Sequence, residues 1–222
     1  MWHPTYAGRM PESPFAQTSY QVRHEWGVDA LATLAPAHVV VVVDVLRFSS
    51  TVIQSLEGGD AVALDASADA VSLNGAAVAR AAADTGATVL LGGLRNASAV
   101  AEAVMAVQRM RGARTSIAVI AAGELSSRDG DGRLRFAVED QFGAGAVIDA
   151  LGRLGIDHTS PEAAAAGESF RALRGAVRHL LTASGSGREL IDRGQRDEVL
   201  AAAAVDAASV VPVLRDGVFV AF

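Results

Sequence analysis

Five consecutive valines, Val39 to Val43, do most to limit what this chain can become. An unbroken run of β-branched apolar residues has no polar face to offer solvent. It reads as a strand buried on both sides, the signature of a parallel sheet covered by helices on each face. The run ends on Asp44, and an unpaired carboxylate in that position is expensive to desolvate. Arg47 follows three residues later, then Ser49, Ser50 and Thr51 open a helical pattern with apolar positions at Val52, Ile53 and Leu56. An acid, a guanidinium and three hydroxyls therefore meet where a parallel strand passes into a helix N-terminus. Open α/β sheets bind ligands at such points, and helix N-termini favour anions.

The rest of the chain repeats strand and helix. Strands are expected at residues 21–26, 61–64, 87–91 and 116–120. Helices are expected at 29–34, 50–57, 74–84, 98–110, 138–151, 161–181, 188–193 and 196–204. Two runs, 210–214 and 217–220, flank Arg215-Asp216 and predict a terminal β-hairpin. Residues 128–133 read as a polar turn, a hairpin or an exposed loop. Residues 1–19 hold three of the six prolines and read as a loose arm. The fold class is α/β, a largely parallel sheet flanked by helices, with a helical C-terminal third and the hairpin at its end. No linker divides residues 1–222, so a single domain is expected.

Composition narrows the function. The formal net charge is −6 with no basic run, and aromatics are 5% of residues. A nucleic-acid partner and an anionic membrane surface are both disfavoured. Cysteine is absent, which removes disulfides, thiol catalysis and Cys-zinc sites. No apolar run reaches the roughly 18–20 residues of a membrane span, and no secretory signal pattern opens the chain. A cytoplasmic protein without nucleic-acid or membrane partners is the expectation.

Metal and nucleophile motifs are few. His3, His24, His38, His158 and His179 are scattered, without metal spacing. There is no phosphate-binding P-loop. The nearest approach to a serine-hydrolase elbow, at Ser186, has Ser184 and Arg188 where glycines belong. Acids are more suggestive. Asp44, Glu124, Glu139, Asp140, Asp197 and Asp206 fall at element ends or on helices, and oxygen-only clusters suit Mg²⁺. Some have a plainer reading: Asp197 and Glu198 as a solvated helix face, and Glu139 and Asp140 as first-turn acids complementing the helix dipole; Asp44, at the end of an all-valine strand, needs a partner. Arg47 either pairs with Asp44 or presents its fork to a phosphate, sulfonate or carboxylate. Asn96 is a helix cap or a ligand contact, and Arg188 a surface residue or a second anion grip. Leu46–Val52 and Leu94–Val100 resemble one another. Both follow an apolar strand and open a helix with an Arg and a Ser, so they are either a chance recurrence or paired anion-holding turns.

Five blocks, Asp44–Thr51, Leu94–Ala101, Glu139–Ala146, Ser186–Leu190 and Val205–Gly217, resemble in order the motifs of the 2-phosphosulfolactate phosphatase family. The resemblance implies an α/β fold and Mg²⁺-dependent hydrolysis of 2-phosphosulfolactate to sulfolactate and phosphate, a step in coenzyme M biosynthesis. It sets Asp44, Arg47, Asn96, Glu139, Asp140, Arg188 and Asp206 at motif positions. On that basis Asp44, Arg47, Glu139 and Asp140 are the expected catalytic residues. Arg47, Ser49, Ser50, Thr51, Asn96 and Arg188 are expected to bind a small phosphorylated acid, and Asp44, Glu139, Asp140 and Asp206 to hold Mg²⁺. The nucleophile is either a metal-activated water or Asp44 itself. The family's habit implies a homodimer. The chain departs from the family in the middle: a Gly-Glu pair and an Asn-Ser-Pro turn are missing, and Asn74-Gly75-Ala76 stands where the family has Asn-Gly-Thr. The alternative expectation is therefore a non-catalytic relative that keeps an anion pocket.

Overall fold

The computed structural model describes residues 13–126 and 132–222, apart from the side chains of residues 67, 69, 70 and 73. The valine run is β2 (Val39–Val43), with every residue buried. It pairs in parallel with β4 (Thr88–Gly92) on one side and β5 (Ile117–Ala121) on the other. Outside β5 lies β1 (Val22–Trp26), also parallel. Trp26, Ala121, Val43 and Gly92 stand level in register, so four carboxyl ends share one edge.

The valines alternate between two cores. Val39, Val41 and Val43 pack with α5 (Ala97–Arg111), α6 (Val138–Arg153) and α7 (Pro161–Leu173). Val40 and Val42 pack with α1 (Ala30–Thr33), α2 (Phe48–Glu57) and α4 (Leu73–Ala83). Two-sided burial is what an uninterrupted valine strand demands, and each side chain contributes about 1.5–3 kcal/mol on leaving water. The chain leaves β2 toward one face and β5 toward the other. Those adjacent strands thus part their connections and open a crevice at their carboxyl ends, the switch point at which doubly wound sheets bind ligands.

The other half of the sheet is antiparallel. The strand order is β1-β5-β2-β4-β8-β9-β3, where β3 is Val62–Ala63, β8 is Pro212–Arg215 and β9 is Val218–Ala221. The terminal hairpin turns at Asp216 and Gly217, both at positive φ, as a two-residue hairpin turn requires. It inserts between β4 and β3 rather than hanging free.

Three expectations need adjustment. Residues 13–19 are not loose. Gln17 is buried and exchanges two side-chain hydrogen bonds with the backbone of His24, at 2.9 and 3.1 Å; residues 1–12 lie outside the described residues. Helix α2 starts at Phe48, two residues before the expected position, because the Asp44 carboxylate accepts the Phe48 N–H and caps the turn. The helical stretch 161–181 is two helices, α7 and α8 (Val177–Ala183), joined by a 3₁₀ turn. The turn 128–131 falls outside the described residues. Its flanks, β6 (Glu124–Leu125) and β7 (Leu134–Arg135), pair antiparallel. Short α3 (Ala66–Val71) precedes α4. Helices α9 (Gly185–Asp192) and α10 (Arg196–Ala202) complete the C-terminal third. No helix of the described residues is long and apolar enough to cross a membrane.

Glycines let α6 sit close. A Cβ on Gly143 would lie 2.5 Å from Val45, and one on Gly145 would lie 2.2 Å from the Ala166 carbonyl oxygen of α7. Helical alanine is intrinsically favoured over glycine by about 1 kcal/mol, but a backbone oxygen at that distance must move. Gly145→Ala is expected to lower stability by about 1–3 kcal/mol, read as a lower urea midpoint. A midpoint at or above that of the parent chain would show that α6 and α7 do not approach this closely.

Candidate functional site

Four helix N-termini point into the crevice. Asp44, just past β2, lies between two of them. Its Oδ1 accepts the Phe48 N–H of α2 at 3.1 Å, and its Oδ2 accepts the Gly75 N–H of α4 at 3.1 Å and the Ser72 hydroxyl. Ser72 is the N-cap of α4. The fit is close: a Cβ on Gly75 would stand 2.4 Å from Asp44 Oδ2. Asp140, in the first turn of α6, receives the Val45 N–H at 2.8 Å on one oxygen and the Gly123 N–H at 2.9 Å on the other. It thus ties the end of β2 to the end of β5 across the crevice. Asn74 adds a bond from its amide to the Gly123 carbonyl at 2.8 Å.

These groups line a cavity of about 120 Å³, together with Glu124, Glu139, Arg47, Ser186 and Arg193. Ser186, on the first turn of α9, donates to Glu124 at 3.2 Å. Glu139 is buried, faces the cavity and makes no hydrogen bond with another described residue. The cavity's two arginines are turned to its rim. Arg47 pairs with Glu198 of α10 at 3.0 Å, and Arg193 pairs with Glu189. The inner acids therefore face one another without a cation of their own among the described residues.

Protonation follows from that crowding. Burial pushes the Asp44 carboxyl up to about 6; the Ser72 and Phe48 hydrogen bonds pull it back, and the charges of Glu124 and Glu139 push it further. Asp140 is raised well above the ordinary carboxylate range, first by burial and then by the charges of Asp44 and Glu139. Helix N-termini offset part of the repulsion, and the carboxylates lining the cavity are oxygen donors of the type Mg²⁺ takes. No three of the described acidic or histidine side chains converge as a ready metal cage.

Not every residue singled out in the sequence comes to this cavity. Arg47 lines it but does not pair with Asp44. Ser49 and Ser50 point inward. Ser49 accepts the Asp44 N–H at 3.1 Å, and Ser50 donates to the Val45 carbonyl at 2.9 Å. Thr51 lines a small neighbouring hollow of about 20 Å³. Asn96 is fully buried, bonded to Gly93 N and to the Leu91 and Val210 carbonyls, so its amide pins the β4–α5 turn. Asp206 caps α5 through the Ser98 N–H and hydroxyl, each at 2.8 Å, outside the cavity lining. Arg188 is exposed and also outside it. Arg95, the counterpart of Arg47 in the second turn, pairs with Glu57 at 2.9 Å. The two turns are alike in build but do not jointly form one pocket.

A family model described as 2-phosphosulpholactate phosphatase matches residues 65–217. The chain belongs to the 2-phosphosulpholactate phosphatase family. The matched span carries Ser72, Gly75, Glu124, Glu139, Asp140 and Ser186, while Asp44 and Arg47 precede it. Ser72, Arg193 and the cavity role of Gly75 were not found by reading the sequence. Ser72 stands in an Ala-rich stretch with no motif around it. The only signal for Gly75 was the Asn-Gly pair at the start of a helix.

Two consequences can be measured. A carboxyl whose folded pKa lies above its unfolded value of 3.8 holds its proton more tightly when folded. The stability this lends is complete below about pH 4 and is lost as pH rises to about 6. Ser72→Ala removes a hydrogen bond that favours the charged form, so the Asp44 carboxyl should titrate still higher, as followed by carboxyl-carbon NMR. A downward or absent shift would contradict the Ser72–Asp44 bond.

Proposed function

We propose that this chain is a Mg²⁺-dependent phosphatase that hydrolyses the phosphate ester of a small acid, 2-phosphosulfolactate or a related compound. Family membership supports the reaction class. The observation that carries the metal dependence is charge balance. Asp44, Glu124, Glu139 and Asp140 share one cavity, while its arginines are paired at the rim. A dianionic phosphate ester entering there meets strong repulsion unless a cation accompanies it. Mg²⁺ binds through one or two carboxylates, waters and substrate oxygens, which suits a site without a three-acid cage. Asp44 and Glu124 are the acids to hold it. When bound, it would neutralise charge on the phosphoryl oxygens and acidify a water.

The chain's own groups take the remaining roles. Asp140 is a positioning residue, because both its oxygens are engaged by backbone N–H groups. Glu139 is the open carboxylate and serves as the base that takes a proton from the attacking water. Water is favoured over Asp44 as nucleophile, since three donors already draw on the Asp44 oxygens. Arg47 and Arg193 counter the phosphate. Their present partners are exposed carboxylates, and exposed ion pairs are worth only about 0–1 kcal/mol, so exchanging them for a bound anion costs little. The shortened middle segment still delivers Ser72 and Asn74 to the cavity and the Gly75 N–H to Asp44, which favours turnover over a non-catalytic relative.

Phosphate release from 2-phosphosulfolactate is expected to require Mg²⁺ and to fall about 10²–10⁴-fold in Glu139→Gln. Equal release in a chelator would sink the metal assignment. Mg²⁺ should also raise the melting temperature more at pH 7.5 than at pH 5, because burial pushes Asp44 up to about 6 and leaves it largely protonated at the lower pH. A shift of the same size at both pH values would place its binding elsewhere.

A further inference from the structure

The 120 Å³ cavity continues into a larger groove. Glu124, Leu125, Glu139, Ser186 and Glu189 line both, and the groove itself measures about 510 Å³. It runs between the β6–β7 pair and the start of α9. Its chemistry changes with distance from the shared acids. Leu125, Phe136 and Val138 give it an apolar side, and Arg135 adds a cation. Phe136 is 62% exposed. Its ring rests against Trp26, with centroids 5.1 Å apart, so one side is supported and the other is open. Arg135 makes no ion pair with another described residue.

Volume decides what the inner cavity can hold. A water-sized group needs about 10–15 Å³ of such space. The inner cavity therefore takes on the order of ten non-hydrogen atoms, enough for a phosphoryl group, a cation and a few waters. With a cation and waters in place, little room is left there for the alcohol part of an ester. On the Arg47–Glu198 side the adjoining hollow measures only about 20 Å³. The groove is the larger described outlet by far.

We propose that this groove is the alcohol-side subsite, and that it selects phosphate monoesters of hydroxy acids bearing an apolar branch or ring beyond a three-carbon skeleton. The branch packs on Phe136 and Leu125, and a distal carboxylate or sulfonate meets Arg135. The assignment rests on the phosphatase reading above and takes the related compound of that reading, rather than 2-phosphosulfolactate, as the preferred substrate.

The test compares 2-phospholactate with 2-phospho-3-phenyllactate in two assays. One measures Mg²⁺-dependent phosphate release by the parent chain. The other measures affinity by calorimetry on Glu139→Gln, which needs no turnover. 2-Phospho-3-phenyllactate is expected to exceed 2-phospholactate about tenfold or more in kcat/KM and in affinity. Phe136→Ala, an exposed position where folding is not at stake, is expected to bring that ratio near one, and Phe136→Tyr to keep it. A ratio near one in the parent chain, or a ratio that survives Phe136→Ala, overturns the subsite. Release of phosphate without preference removes the groove and leaves the phosphatase. A calorimetric preference without release from either ester keeps the groove and removes the reaction. Neither preference nor release removes both.

Discussion

Asp140 is the joint on which the crevice depends. Two parallel strands whose connections depart to opposite faces leave backbone N–H groups facing each other across a gap. A single carboxylate accepts one from each side. Burying that charge is costly, and only the two N–H bonds and the neighbouring helix ends make it tolerable. The reach is short, so α6 must begin close to the sheet, and Gly143 and Gly145 remove the side chains that would hold it away. Sheet, helix and acid are thus specified together.

Asp44 repeats the logic with different partners. It closes the starts of α2 and α4 at once, so the two helices of one face are aimed by the same side chain. Neighbouring acids then add charge that no arginine of the described residues pairs with. The arginines wait at the rim, held by glutamates that solvent screens. Such an arrangement is poor for stability alone. It suits a site that is completed from outside, by a cation and an anion arriving together.

The sequence carried much of this. Five valines implied two-sided burial and a parallel centre, and the acid at their end marked the crevice. Glu139 and Asp140 could be nominated, but not separated into an open carboxylate and a stapled one, because that depends on where Val45 and Gly123 come to lie. Asn96 and Asp206 sat in motif positions as convincing as those of Asp44. Only three-dimensional placement shows their polar atoms spent on the β4–α5 turn and the start of α5. Arg193 was invisible, since nothing in Asp-Arg-Gly-Gln indicates that α9 will swing it over the crevice. Helix starts were read late at residues 50 and 188. Caps set them: Asp44 accepts the Phe48 N–H and Ser184 the Gly187 N–H.

The sheet order also has a temporal meaning. β3, at residues 62–63, finds its partner only in β9, at residues 218–221. More than 150 residues of chain separate two neighbours in the finished sheet. The parallel centre draws on residues 22–121, all made earlier on the ribosome. The far edge must wait for residues 212–221. Long-range pairings of this kind slow the final search, and until it ends the outer flank of β4 is an open strand edge, a template for pairing with other chains.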